Sequence, residues 1–129
     1  MATPFIYVGT TSIKPGKLEE ARKSCGELVD FVETNEPRMI AFHLFLDEEG
    51  SKLTVAQMHP DSASMEFHLQ IAAKHFTTAF DYLGAQLTEQ YYGPMSETLA
   101  AELAKWEDPS VAVTRMPVHA GGFTRTNVR

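Results

Sequence analysis

Two histidines stand seven residues apart, His68 and His75, in the mostly apolar stretch Ser64 to Phe80. On one continuous helix they share a face, about 10.5 Å apart along the axis. That is too far for both to bind one metal ion, since chelation from a helix favours spacings of three or four. No cysteine pair or second His/Asp cluster completes a ligand set, so no metal is expected. His68 joins Met65, Leu69 and Ala72 in an apolar stripe. It reads either as a buried histidine bonded to backbone or at a subunit contact, or as a general base or substrate anchor in a cleft between helix and sheet. An unperturbed pKa of about 6.5 suits imidazole to proton transfer near neutrality. His75, beside Lys74 and Phe76, reads as partly exposed.

His43 shares a strand face with Met39, Ala41 and Phe45, where an imidazole needs a partner or a purpose. It is either a satisfied core histidine or a second candidate base. The catalytic candidates are therefore His68 and His43. His59, at a strand end, reads as a surface residue near the sheet edge. His119, beside Gly121 and Gly122, could reach over a neighbouring cleft. Tyr7 could present a phenol to a pocket. Tyr91 and Tyr92 flank the two faces of one strand, so one points inward. Arg115 could pair with an acidic substrate or lie on the surface. Tyr7, Tyr92 and Arg115 are the candidate substrate-binding residues. Asn35 reads as a helix-end residue, and Cys25 as an inert core thiol.

The chain of 129 residues fits one domain, residues 1–129, and 43% apolar residues suffice for a core. Eleven basic against seventeen acidic residues give a net charge of −6, with no basic run, which argues against nucleic acid as a partner. No stretch approaches the roughly 18 apolar residues of a membrane span, so no membrane association is expected. MATPFIYVGT lacks the plan of a signal peptide, and one cysteine excludes an internal disulfide. These features suggest a cytoplasmic protein. No P-loop, dinucleotide fingerprint or GxSxG elbow is present, and no cofactor is expected.

The elements that must position the candidates follow from periodicity. Pro4 to Ile13 is a strand with Phe5, Tyr7, Gly9, Thr11 and Ile13 on one face. Lys14-Pro15-Gly16-Lys17 turns into a helix from Leu18 to about Thr34, with Leu18, Ala21, Cys25, Leu28, Val29 and Val32 in one stripe. Asn35-Glu36-Pro37 breaks it. Met39 to Leu46 and Lys52 to Met58 pair as a hairpin across the turn Asp47 to Ser51. A helical region capped by Asp61 or Ser62 runs to about Leu83, and Leu87 to Tyr92 is a fourth strand. Strand, helix, strand, strand, helix, strand is the ferredoxin-like α+β pattern, here over residues 4–92. Residues 93–129 form an extension: a helix from Glu97 to about Trp106, with Leu99, Ala100, Leu103 and Trp106 on one face, then a strand within Ser110 to Val118. Helices on one side leave the other sheet face apolar and bare, so a homodimer is expected.

The segment Gln57-Met58-His59-Pro60-Asp61-Ser62-Ala63-Ser64-Met65-Glu66-Phe67-His68 resembles the third-strand to second-helix segment of antibiotic-biosynthesis-monooxygenase-type domains. Asp61, Ser64 and His68 match that pattern. Gln57 stands where Glu is usual, His59 where an aromatic residue is usual, and Arg38, after the matching Asn35-Glu36-Pro37 break, where Gly is common. The resemblance covers Phe5 to Tyr92. It implies a dimeric α/β barrel and cofactor-free oxidation of an aromatic or quinol-type small molecule, an implication by analogy. The alternatives are a non-catalytic dimeric barrel that binds a small molecule, and a haem-binding protein. Haem degraders of this kind use an Asn, a Trp and a His. Here the one tryptophan, Trp106, lies in the extension and the first strand has no Asn, which argues against haem.

Overall fold

The computed structural model describes residues 3–75, 79 and 81–125, the side chains of residues 73–75 apart. The elements are β1 (Phe5–Ile13), α1 (Leu18–Asn35), β2 (Ala41–Leu46), β3 (Lys52–His59), α2 (Ser62–His75), β4 (Leu83–Tyr92), α3 (Glu97–Ala104) and β5 (Ala112–Met116). They form one sheet of order β2-β3-β1-β4-β5. The first four strands pair antiparallel, which is the ferredoxin-like arrangement, and β5 joins β4 in parallel. A parallel neighbour needs a crossover, and α3 supplies it. Among the described residues no helix is long and apolar enough to cross a membrane.

Alternation along β1 decides where the core lies. Phe5, Tyr7, Gly9 and Ile13 are buried while Ile6, Val8 and Thr10 are half-buried. The buried face carries the helices. Phe5, Tyr7 and Tyr91 pack with Met65 of α2 and with Leu99 and Leu103 of α3. At the other end Ile13 and Leu53 pack with Ala21 of α1 and with Tyr82, and Cys25 sits beside this cluster. Burial of the Cys25 thiol pushes its pKa up, consistent with an inert core sulfur.

Local chemistry sets the boundaries. Asp47 accepts the backbone N–H groups of Ser51 and Lys52 at 2.7 and 3.0 Å, closing the β2–β3 turn, and Gly50 takes the positive φ of 69° that the turn needs. Asp61 accepts the Ser64 N–H at 3.0 Å as the cap of α2. Ser96 accepts the Leu99 N–H at 3.0 Å as the cap of α3, and its hydroxyl donates to Glu66 of α2.

Three expected boundaries shift. α2 is described over Ser62–His75, and Leu83, expected at its end, belongs instead to β4, where it pairs with Ile13. Two register shifts let β4 extend backwards, and Ser12 Oγ accepts the Ala85 N–H at 2.8 Å in the space that Gly84 leaves. α3 ends at Ala104, and Trp106 is 64% exposed, off the buried stripe of Leu99 and Leu103. β2 begins at Ala41 rather than Met39, although the Ile40 N–H still reaches the Met58 carbonyl at 2.8 Å.

Candidate functional site

Cross-strand register places one residue from each strand in a single row over the helix face: Phe42, Gln57, Tyr7, Tyr91 and Arg115. Two polar groups are built on this row. The first lies over β3. Glu36, just past the end of α1, reaches His68 of α2, whose Nδ1 is 2.9 Å from both carboxylate oxygens. Gln57 Nε2 donates to His68 Nε2 at 3.1 Å, and Gln57 Oε1 accepts from His59 Nε2 at 2.9 Å. His59 Nδ1 bonds Ser64 Oγ at 2.8 Å. All five residues are buried, from 0% exposure at His59 to 7% at His68. Phe42 closes the side towards β2, its ring centroid 6.1 Å from that of His68.

Burial, and then the neighbouring His68, pull the His59 pKa down to about 4, so this imidazole stays neutral at physiological pH. At the rim Arg38 and Asp61 form an ion pair that holds the Asp61 carboxyl below the usual carboxylate range. It ties the chain before β2 to the start of α2, beside the buried group.

The second polar group lies over β1 and β4. Tyr7 and Tyr91 each donate a phenol proton to Glu89 Oε2 at 2.8 Å. Their rings pack 5.1 Å apart, centroid to centroid. Gly9 pairs with Glu89 in the register, and its missing Cβ leaves the space that the Tyr7 hydroxyl fills. Burial and the Glu89 charge push both phenols up, so they stay protonated donors. Arg115 closes the row on β5, exposed, with Glu107 at 3.5 Å.

The candidates thus divide between two faces. His68, Tyr7 and Arg115 share the helix face. His43 and Tyr92 lie on the opposite, open face, where His43 is exposed beside Phe45, their ring centroids 6.2 Å apart. The sheet stands between His43 and His68. His59 corrects its reading as a surface residue, because it shares the inward alternation of Leu53, Val55 and Gln57 and is fully buried. Of Tyr91 and Tyr92, the inward one is Tyr91. His119 is exposed in the C-terminal segment, and the side chain of His75 lies outside the described residues. Among the described residues no group of three or more His, Cys, Asp or Glu could hold a metal ion.

Sequence reasoning passed over Glu36, read only as part of a helix break, and Glu89. For Gln57, His59 and Tyr91 the period-two pattern carried the signal. For the two acids there was none, since their partners come from distant strands and helices.

No family model matches the chain, and no curated protein does. Solved structures do. MupZ from Pseudomonas fluorescens aligns with a TM-score of 0.73 at 16% identity, covering 98% of each chain, so the likeness takes in the α3–β5 extension. A conserved protein from Methanosarcina mazei aligns at 0.60 and 19% identity, over 69% of this chain and 90% of its own. A candidate antibiotic biosynthesis monooxygenase from Chloroflexus aurantiacus aligns at 0.56 and 11% identity, over 73% of this chain and 95% of its own. The fold is that of the antibiotic biosynthesis monooxygenase-like domains. At these identities the likeness concerns the fold, and activity must be argued from the site.

Proposed function

We propose that the protein is a cofactor-independent monooxygenase acting on an aromatic or quinol-type small molecule bound on the helix face of the sheet. The observation that supports this reading is the row Gln57–Tyr7–Tyr91–Arg115 with the His68–Glu36 pair over one end. In this reading His68 is the base. Glu36 on Nδ1 orients the ring and stabilises the imidazolium that forms. The ligand hydroxyl reaches Nε2 as the Gln57 N–H leaves it. Arg115 supplies a positive charge to the oxygen substituents, and Tyr7, its one proton held by Glu89, offers its ring and a phenol oxygen that accepts from a ligand hydroxyl. The ring anion adds dioxygen at a hydrogen-bearing ring carbon ortho or para to its oxygen. Protonation gives a hydroperoxide, and loss of water leaves the quinone.

The protein works as a homodimer in this proposal. The open face carries Ile6, Val8, Ala56 and Met58 half-buried, and Phe45 and Met116 each 59% exposed, a surface suited to a second copy. His43 and Tyr92 then belong to the contact between subunits. The test is oxygen uptake with a panel of hydroquinones and naphthols. Wild type consumes oxygen, and His68→Ala slows it by about 100-fold or more, the usual weight of a general base. Equal rates in both proteins would remove His68 from the chemistry.

A second reading, ligand binding without catalysis, is favoured by one observation: both ring nitrogens of His68 are held within the protein. Saturable binding of the same compounds with no oxygen uptake would select it.

A further inference from the structure

The buried bonds around His68 have a direction. An amide nitrogen only donates and an amide oxygen only accepts. Gln57 Nε2 faces His68 Nε2 at 3.1 Å, so that nitrogen carries a lone pair and the His68 proton sits on Nδ1, towards Glu36. Gln57 Oε1 faces His59 Nε2 at 2.9 Å, so His59 holds its proton there. His59 Nδ1 is then an acceptor, and the Ser64 hydroxyl at 2.8 Å donates to it. Every member is satisfied, and Glu36 is the one charged group of the five.

One other pattern leaves every ring nitrogen and both amide groups bonded. Turn the Gln57 amide over and its oxygen accepts from His68 Nε2–H. His68 cannot then be neutral without setting a lone pair at Nδ1 against the Glu36 carboxylate, so it is the imidazolium. The Gln57 NH₂ now donates to His59 Nε2, the His59 proton moves to Nδ1, and Ser64 accepts instead of donating. The two patterns differ by one proton, on His68.

We propose that Gln57, His59 and Ser64 are positioning residues forming a reversible hydrogen-bond chain, which holds His68 equally well bonded before and after it takes up a proton. The chain removes the usual obstacle to a buried base, that one of its two protonation states leaves a neighbour unpaired. A turnable amide is what the position requires, since a carboxylate there can only accept. Glu36 faces His68 from the end of α1, Gln57 and His59 from β3, and Phe42 from β2, while the Arg38–Asp61 pair lies at the rim and acts on His59. The low pKa of His59 agrees with a ring that changes tautomer rather than charge.

The place of the chain in a reaction rests on the reading of His68 as the base, but the reversal itself is read without turnover. Long-range ¹H–¹⁵N spectra report which nitrogen of each imidazole is protonated. Near neutral pH the wild type should show His68 protonated at Nδ1 alone and His59 at Nε2 alone. On acidification His68 should gain its second proton in the same step in which the His59 proton moves to Nδ1. Gln57→Glu should show His68 protonated on both nitrogens at a pH where the wild type shows one. A His59 proton that stays on Nε2 while His68 titrates overturns the proposal, and so does a neutral His68 in Gln57→Glu. Either experiment decides alone, so acid unfolding of the wild type or poor folding of the variant leaves the other standing. Oxygen uptake without the coupled step would keep the enzyme reading and sink the chain; the coupled step without uptake would do the reverse.

Discussion

Glu36 and His68, 32 residues apart in sequence, meet in a two-oxygen contact of 2.9 Å that joins the end of α1 to the middle of α2. Both side chains are buried, so neither group can fall back on water. Removing the Glu36 side chain leaves the buried His68 N–H without its acceptor, at about 1–3 kcal/mol, and the emptied space adds about 1–2 kcal/mol more. Glu36→Ala should lose stability on that scale. Glu36→Gln, which keeps a hydrogen-bond acceptor, should lose about 1–3 kcal/mol. Urea midpoints at neutral pH measure both, and equal losses in the two variants would show that the charge, not the retained acceptor, carries the contact.

His59 gives the molecule a sensitivity to acid. In the unfolded chain this imidazole takes a proton near the model value of 6.5, whereas in the fold it resists to about 4. Between those values the unfolded state binds a proton that the native state does not, so stability falls as pH falls through the window. The loss levels off below about 4 and amounts to at most about 3 kcal/mol. A urea series from pH 7 to 4 should show this slope, and His59→Gln should flatten it. An unchanged slope in the variant would assign the acid sensitivity to other groups.

Gly9 is a clearance for Tyr7. A Cβ at position 9 would sit 2.3 Å from the Tyr7 hydroxyl. Gly9→Ala should push the phenol off Glu89 and cost about 1–3 kcal/mol through crowding. Tyr7→Phe removes the same bond without crowding and should cost about 1 kcal/mol. If Gly9→Ala is no worse than Tyr7→Phe, the ring has room to swing that the packing does not suggest.

The proposed homodimer rests on the open sheet face. Val8 lies at its centre on β1, between β3 and β4. Val8→Lys should leave the fold intact and convert a dimer to a monomer, because a charge cannot be buried between two apolar sheets without a partner. Sedimentation of both proteins checks it. A wild type that sediments as a monomer at high concentration would remove the dimer from the proposal.

Periodicity found the elements because each stripe answers to one neighbour. α1 buries Ala21 and Val32 on the stripe read from its spacing, and β1 buries Phe5, Tyr7, Gly9 and Ile13 on one side. His59 was misplaced for a different reason. Its position at a strand end suggested an edge, but β3 is an inner strand with α2 folding back over it. Trp106 went astray because α3 is too short to carry its stripe that far. His43 and His68, the two candidate bases, fall on opposite sides of the sheet by parity, since adjacent strand residues face opposite ways and His43 is on the open side. The polar groups were legible only in part. Gln57 and Tyr91 share the inward alternation of the strands, whereas Glu36 and Glu89 find their partners through contacts that no local pattern encodes.

The order β2-β3-β1-β4-β5 also says something about birth on the ribosome. β1 is made first and lies in the middle, yet Tyr92, which pairs with Ile6, is 86 positions later. At about 5–20 residues per second that partner arrives on the order of ten seconds after β1. A β1–β3 ribbon can form in the meantime, with one flank of β1 unpaired. The nascent chain therefore carries a sticky edge for most of its synthesis, because its most central strand is sealed only when β4 arrives.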